Sequence, residues 1–464
     1  MKAVEYDPGS YRDRAGRVFR RDGEVYRGLR ADALDTWRTV AAKPFYRELE
    51  RDGKLVATTE ASRDLAPEWD GVLRHEPVPV ISYAYEWPFG MLRRAALLQL
   101  EVLDRALTDG VTLRDATTFN VQWIGRRPVF IDVPSFAPLA EGALWTGYRQ
   151  FCEQFLYPLL IEAYKGIPFQ PWLRGHIDGI DAEAASRLLM PSKMLRPGVL
   201  KHVYLHAALQ RSMRARTSMS VAKEIRTQQS LHSRELIRAN VRNLTKIVDG
   251  LRAGASSDWT EYEGTHSYSS EDRATKEQFV VDALRDSRPR VTFDIGCNTG
   301  AFSEIAASHC EYVVGADSDP QVIERVFARG HERILPLVWD LADPSPGLGW
   351  RGRERPPLHD RLRPDLTLAL ALIHHLVLGR NILLSEVVEE LAALGGDAVI
   401  EWVDRTDPMA ARLLGRKDEP FDDYTLASFE EHLGRSYVIE RKQPLASGSR
   451  ILYFVRSRAG TRPR

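Results

Sequence analysis

The stretch VTFDIGCNTGAFSEIAA, residues 291–307, decides how the chain is read. Residues 291–295 form a short apolar run, rich in β-branched and aromatic side chains, as expected of a strand buried on both faces. Asp294 stands near its carboxyl end, and Gly296, Cys297, Asn298 and Gly300 follow before a helix-like segment begins near Ala301. Two glycines allow a tight turn and leave no Cβ in the way of a ligand. Strand, glycine loop and helix in this order make a crevice at the carboxyl end of a strand, where doubly wound sheets bind nucleotides. The spacing is D-x-G-x-x-x-G and not the G-x-G-x-x-G of dinucleotide folds. An acid before the first glycine repels a pyrophosphate and attracts an amine.

Working outward, Asp317 ends a second apolar run, VVGADSD, twenty-one residues after Gly296. A carboxylate there is placed to accept hydrogen bonds from both hydroxyls of a ribose. Asp340 and Leu341 follow a third run and suit an adenine amino group. Strand candidates at 291–295, 312–316, 334–338, 366–371 and 398–403 alternate with helix-like segments, which predicts a parallel sheet with helices on both faces. Two more, 437–441 and 451–455, have no helix between them and predict an antiparallel pair.

Over residues 275–457 these features resemble a class I S-adenosylmethionine-dependent methyltransferase, whose Rossmann-like α/β sheet has seven strands with the last one antiparallel. The resemblance implies S-adenosylmethionine as cofactor. It implies that Asp294 and the loop 296–300, with Gly296, Cys297, Asn298 and Gly300, hold the methionine part, Asp317 the ribose, and Asp340 with Leu341 the adenine. Asn298 stands where the family often has glycine, and Asn tolerates positive φ better than most residues.

The run DLTLALALIHHLVLGRN, 365–381, ends a fourth strand just before His374 and His375. Methyl transfer requires an aligned nucleophile and, for a hydroxyl or an acidic carbon, removal of a proton. Histidine suits that task, although a histidine after a strand also serves to cap or pack. Glu401, at the end of the fifth strand, is placed to orient substrate or a histidine, or to form a structural ion pair. Residues 404–424, with Arg405, Asp407, Arg412, Arg416, Lys417 and Tyr424, read as a helical lid. Trp259, Tyr262 and Tyr268 are candidates to close over the cofactor or to anchor by packing. Cys297 reads as a small buried residue without a partner that would make it a nucleophile.

In the N-terminal part, Asp22-Gly23 between two strand-like runs is a hairpin signal. An apolar face at helical spacing covers 91–108. Arg114-Asp115, Asn120 and, after an apolar strand, Asp132 resemble the catalytic loop and metal-binding aspartate of kinase-like phosphotransferases, which need a proton acceptor, an amide and a second carboxylate at such spacing. No glycine-rich phosphate loop and no strand lysine with a helix glutamate is evident, and Pro134 and Ser135 replace the usual glycine region. The expectation is an α+β domain over 1–191, with two readings of the motif open: a degenerate kinase-like scaffold, or a coincidence of spacing in a hairpin.

The chain has 464 residues, which fits two or three domains. Between them, 192–274 reads as a basic, largely helical connector: residues 193–252 hold thirteen Lys or Arg against three acids. The whole chain balances 64 basic against 64 acidic residues, which argues against a protein that coats nucleic acid. Three cysteines show neither a disulfide framework nor metal-ligand spacing and point to a reducing compartment. A charged N-terminus and a longest apolar stretch of thirteen residues, 366–378, give no signal peptide or membrane span, so a cytoplasmic location is expected.

RDATTFNVQW, FIDVPSF, WTGYRQFCEQFLYPLL and LALALIHHL together resemble a group of bacterial methyltransferases related to a nodulation protein, across nearly the whole chain. The expectation is therefore an enzyme methylating oxygen or carbon of a small-molecule or carrier-bound acceptor. An Asn/Asp-Pro-Pro-aromatic element, common in enzymes that methylate planar nitrogens, is missing after the fourth strand. Two alternatives stay open: an RNA or protein acceptor gripped by the basic connector, and a non-enzymatic kinase-like interaction module.

Overall fold

The computed structural model describes residues 4–215, 233–254, 269–415, 417 and 421–458. Trp259, Tyr262, Tyr268 and Arg416 lie outside the described residues. The chain forms two compact units. One is Met1–Ala255 with Pro346–Pro356, the other Ser256–Ser345 with Pro357–Arg464.

The first unit opens with a five-stranded antiparallel sheet in the order β1-β2-β3-β5-β4, from β1 (Glu5–Tyr6), β2 (Gly16–Arg21), β3 (Glu24–Leu29), β4 (Thr58–Ala61) and β5 (Gly71–His75). Asp22 and Gly23 join β2 to β3 with φ of +54° and +84°. A two-residue turn with both central residues at positive φ matches the twist of the strands it joins. Helices Ala31–Ala41 and Pro44–Arg51 separate β3 from β4. The helix Phe89–Thr108 then buries Leu92, Ala95, Leu98, Leu100 and Leu103. Past it, β6 (Val111–Leu113) pairs with β9 (Phe136–Pro138), and β7 (Val121–Ile124) pairs with β8 (Arg127–Phe130).

The described part of the basic segment includes the helix Ser233–Gly250, which packs on Phe89–Thr108 within this unit. Ile237, Val241, Leu244 and Val248 are buried, but Leu236, read as part of the same face, is 54% exposed. Neighbouring helical residues diverge by about 100°, so Leu236 and Ile237 do not both face inward. Arg238 is held by Asp104 at 2.8 Å.

The second unit is built on a seven-stranded sheet: β10 (Val291–Ile295), β11 (Tyr312–Asp317), β12 (Ile334–Val338), β13 (Leu366–Ala369), β14 (Asp397–Val403), β15 (Tyr437–Pro444) and β16 (Arg450–Ser457). Their order is β12-β11-β10-β13-β14-β16-β15. The first five are parallel, and β16 runs antiparallel between β14 and β15. That is the arrangement the resemblance implies. Helices Ala301–Ala307, Pro320–Arg329 and Leu384–Ala393 fill three of the gaps between parallel strands. The fourth, between β12 and β13, departs from expectation. Its second-unit part keeps only the four-residue helix Leu358–Arg361, and Pro346–Pro356 belongs to the first unit. Four prolines and three glycines between 344 and 357 explain why no long helix forms there.

The stretch read as a helical lid is anchored inward. Its described helix is Pro408–Leu414, capped by the 2% exposed Asp407. Tyr424 is fully buried, stacks on Trp402 with ring centroids 4.5 Å apart, and donates its hydroxyl to the Val403 carbonyl at 2.6 Å. Among the described residues no helix is long and apolar enough to cross a membrane.

Candidate functional site

The adjacent central strands β10, β11 and β13 bring most of the candidate residues to one end of the sheet. After β10 the chain turns through Gly296, Asn298 and Gly300, with φ of +69°, +47° and +81°. The turn survives the asparagine because Asn enters the left-handed region at modest cost. Two of its amides, Gly296 N–H and Cys297 N–H, are spent on the Ala316 carbonyl of β11, at 2.8 and 3.0 Å. At Gly300 a Cβ would also come within 3.2 Å of Val326, so close packing of the helix Pro320–Arg329 reinforces the demand for glycine.

Asp317 ends β11 and is tied to this loop. One carboxylate oxygen accepts Asn298 N–H at 3.1 Å and the other accepts Asp319 N–H at 3.0 Å. Asp294 is 2% exposed and accepts the Ser303 hydroxyl at 2.6 Å. Burial pushes its carboxyl up to about 6, against the opposing pull of Ser303. The acid therefore braces strand to helix. The Cys297 side chain turns inward beneath β11, where a Cβ on Gly315 would lie 3.5 Å from its sulfur. Burial raises its thiol well above the ordinary value, which leaves it inert.

After β12, Asp340 accepts Ala342 N–H at 2.9 Å and pairs with Arg380 at 2.9 Å, while Leu341 beside it is half-buried. After β13, Ala371 takes φ +52°, a rare conformation for a residue with a Cβ, and the next turn delivers the histidines. His374 is 1% exposed, and neither ring nitrogen has a hydrogen-bond partner among the described residues. Burial, with help from His375, holds its pKa down at about 3, so the ring is neutral at physiological pH. His375 is exposed, with its ring centroid 4.2 Å from that of His374.

Glu401 does not serve either histidine. It is fully buried, with one oxygen accepting from Lys276 at 2.6 Å and the other from Arg450 at 3.3 Å. Arg450 in turn grips Asp407 at 2.7 and 3.2 Å. Lys276, Glu401, Arg450 and Asp407 thus form a buried row of two cations and two anions. Lys276, Arg450 and Ser303 escaped the sequence reading. Lys276 sits in a charged helix and looks like any solvated lysine. Arg450 opens an apolar strand, and that misfit was the available signal.

Chemically, the strand ends offer a carboxylate suited to vicinal hydroxyls, a backbone loop without side-chain obstruction, and a buried neutral imidazole whose nitrogens lack a partner among the described residues.

No family model matches the chain. Among solved structures it is similar to the N-methyltransferase NodS from Bradyrhizobium japonicum WM9, with 15% identity, 40% of this chain and 97% of that one covered, and a TM-score of 0.31. It is also similar to magnesium protoporphyrin IX methyltransferase (ChlM) from Synechocystis PCC 6803 with bound SAH, with 18% identity, coverage of 43% and 92%, and a TM-score of 0.31. Across 460 residues it is 34% identical to nodulation protein NoeA of Rhizobium meliloti (strain 1021), spanning 97% of this chain and 96% of that one, and it therefore belongs to the NoeA family.

Proposed function

We propose that the second unit transfers a methyl group from S-adenosylmethionine to an oxygen or carbon of a small-molecule or carrier-bound acceptor. The observation that carries this reading is the clasp between Asp317 and the loop 296–300. Each Asp317 oxygen spends one lone pair on a backbone amide and keeps another, which fits a pair of ribose hydroxyls. Gly296 leaves the approach of the methionine part open, and Asp294 stiffens the turn through Ser303. Asp340 and Leu341 would border the adenine, with Arg380 fixing the carboxylate. The cofactor, when bound, supplies an electrophilic methyl group.

His374 enters this reading as the candidate proton acceptor: its imidazole is neutral and both ring nitrogens lack a partner among the described residues. The buried ion-pair row steadies β14 and β16 behind it. Arg238 is already committed to Asp104, which lowers the charge the basic segment has to offer a nucleic acid.

Two measurements test the reading. Titration calorimetry of the full chain with S-adenosylmethionine should give heat at one site, and a flat titration rejects it. Labelled cofactor incubated with extract from a strain lacking the protein should yield a product heavier by one methyl group. Labelled RNA or protein in place of a small product would reject the acceptor class.

A further inference from the structure

Residues 184–223 hold no Asp or Glu, against eight Lys or Arg. The described part of this run builds an outer surface of the first unit. Val199–Tyr204 forms a π-helical turn that leads into the helix Leu205–Ala215. One side packs inward through Val199, His202, Val203 and Ala207. The other side is apolar too. Leu200, Tyr204, Leu205 and Leu209 are between 38% and 56% exposed, and Leu195 just before them is 91% exposed. Leu236 joins them from the helix Ser233–Gly250. It lies one turn from Asn240, whose side-chain oxygen accepts from Lys201 at 3.4 Å. Six of the eleven large apolar side chains exposed among the described residues thus fall between 195 and 236. Single exposed leucines are ordinary, but a group of them marks a contact surface.

The cations of this region are largely uncommitted. Lys193, Arg196, Lys201, Arg211, Arg242 and Lys246 form no ion pair among the described residues, whereas Arg234 and Arg238 have Glu235 and Asp104. Lys201 reaches only the neutral side-chain oxygens of Asn240 and Asn243. Leucines set among unpaired cations match a partner that is anionic at its surface and apolar beneath. A nucleic acid fits worse, because bases stack on aromatic rings and this surface offers one tyrosine among five leucines. A second copy would set like charges face to face across a two-fold axis. Protein interfaces favour aromatic anchors and are depleted in lysine, so another protein fits worse as well.

We infer that this surface docks the first unit onto a bilayer that carries anionic phospholipid. The leucines enter the boundary between headgroups and acyl chains. Lys201 and Arg211, on their long stems, keep their charges at the level of the phosphates. The contact is peripheral, since no described helix is long and apolar enough to cross a membrane. Apolar burial and charge act together here. A few half-exposed leucines or a few cations alone give only weak, reversible attachment.

The test is co-sedimentation of the full chain with two kinds of vesicle, phosphatidylcholine alone and phosphatidylcholine with about one part in four of phosphatidylglycerol. The mixed vesicles should bind about tenfold more tightly or better, and salt at about 0.5 M should remove most of that preference. Leu205→Gln with Leu209→Gln, and separately Lys201→Gln with Arg211→Gln, should each weaken binding to mixed vesicles by about tenfold. All four side chains are exposed, so both double variants should fold, and an unchanged melting temperature checks this. The inference is overturned if neither vesicle binds or if both bind alike. It is also overturned if the leucine pair is replaced without loss, which would leave a charge effect alone. Tighter binding to single-stranded RNA than to mixed vesicles, or a dimer in light scattering that the leucine pair abolishes, assigns the surface to that occupant instead. The wild-type comparison of the two vesicles decides by itself should a variant fail to fold. None of these measurements involves S-adenosylmethionine, so the outcome is independent of the methyl-transfer reading.

Discussion

An Asp317 carboxylate oxygen accepts the amide hydrogen of Asn298 at 3.1 Å across nineteen residues of chain. One acid thus closes the glycine loop against the second strand and presents its remaining lone pairs to a ligand. Asp317→Ala should weaken S-adenosylmethionine binding by about 10- to 100-fold for each ribose hydrogen bond lost, at roughly 1.5–3 kcal/mol each. Asp317→Asn, which keeps one acceptor, should lose less. Calorimetric affinities that are equal for wild type and both variants would remove the ribose from this position.

Much of the second unit is legible in sequence because its signals are local. The apolar runs at 291–295 and 334–338 coincide with β10 and β12, and the D-x-G-x-x-x-G turn appears where its glycines require. What escapes is set by distant partners. Lys276 meets Glu401 across 125 residues, and Arg450 meets it across 49. No periodicity in a charged helix reveals which lysine will be buried. Tyr424 reads as part of a helical lid because its neighbours are charged, yet stacking on Trp402 takes it into the core. The depth of His374 was likewise invisible, since an adjacent pair of histidines gives no cue to which ring points inward.

Positive φ alone and positive φ with a close neighbour can be separated. Gly23 and Gly300 have φ of +84° and +81°, but a Cβ meets nothing within 4 Å at Gly23 and Val326 at 3.2 Å at Gly300. Gly23→Ala should cost about 1 kcal/mol of backbone strain. Gly300→Ala should cost more, by about 1 kcal/mol or above, because Val326 has to give way. Urea midpoints of the two variants check the order.

Glu401 is expected to matter for folding and not for proton transfer. Glu401→Gln removes the buried anion that faces both Lys276 and Arg450, which should destabilise the unit by about 3 kcal/mol or more. Replacing Lys276 and Glu401 together by Met and Leu removes a cation and an anion at once and should be far milder than either change alone. A double variant as unstable as the sum of the singles would show that the two side chains do not act as a pair.

His374 yields a prediction in pH as well as in rate. His374→Ala should slow turnover while leaving cofactor affinity unchanged, which a kcat measurement beside calorimetry would show. Held near pKa 3 when folded, the ring does not charge between pH 5 and 8, so it should add no limb near 6.5 to the kcat/KM profile. In the unfolded chain the same ring takes up a proton near its ordinary value of about 6.5. The contribution of its depressed pKa to stability is therefore complete above about 6.5 and is lost as pH falls toward 3, with a slope of up to about 1.4 kcal/mol per pH unit. His374→Ala should flatten the fall of stability between pH 6 and 4, leaving the similar share of His75, also held at about 3. An unchanged slope would mean that the folded protein already carries His374 protonated, and a protonated ring cannot take the proton that the acceptor loses.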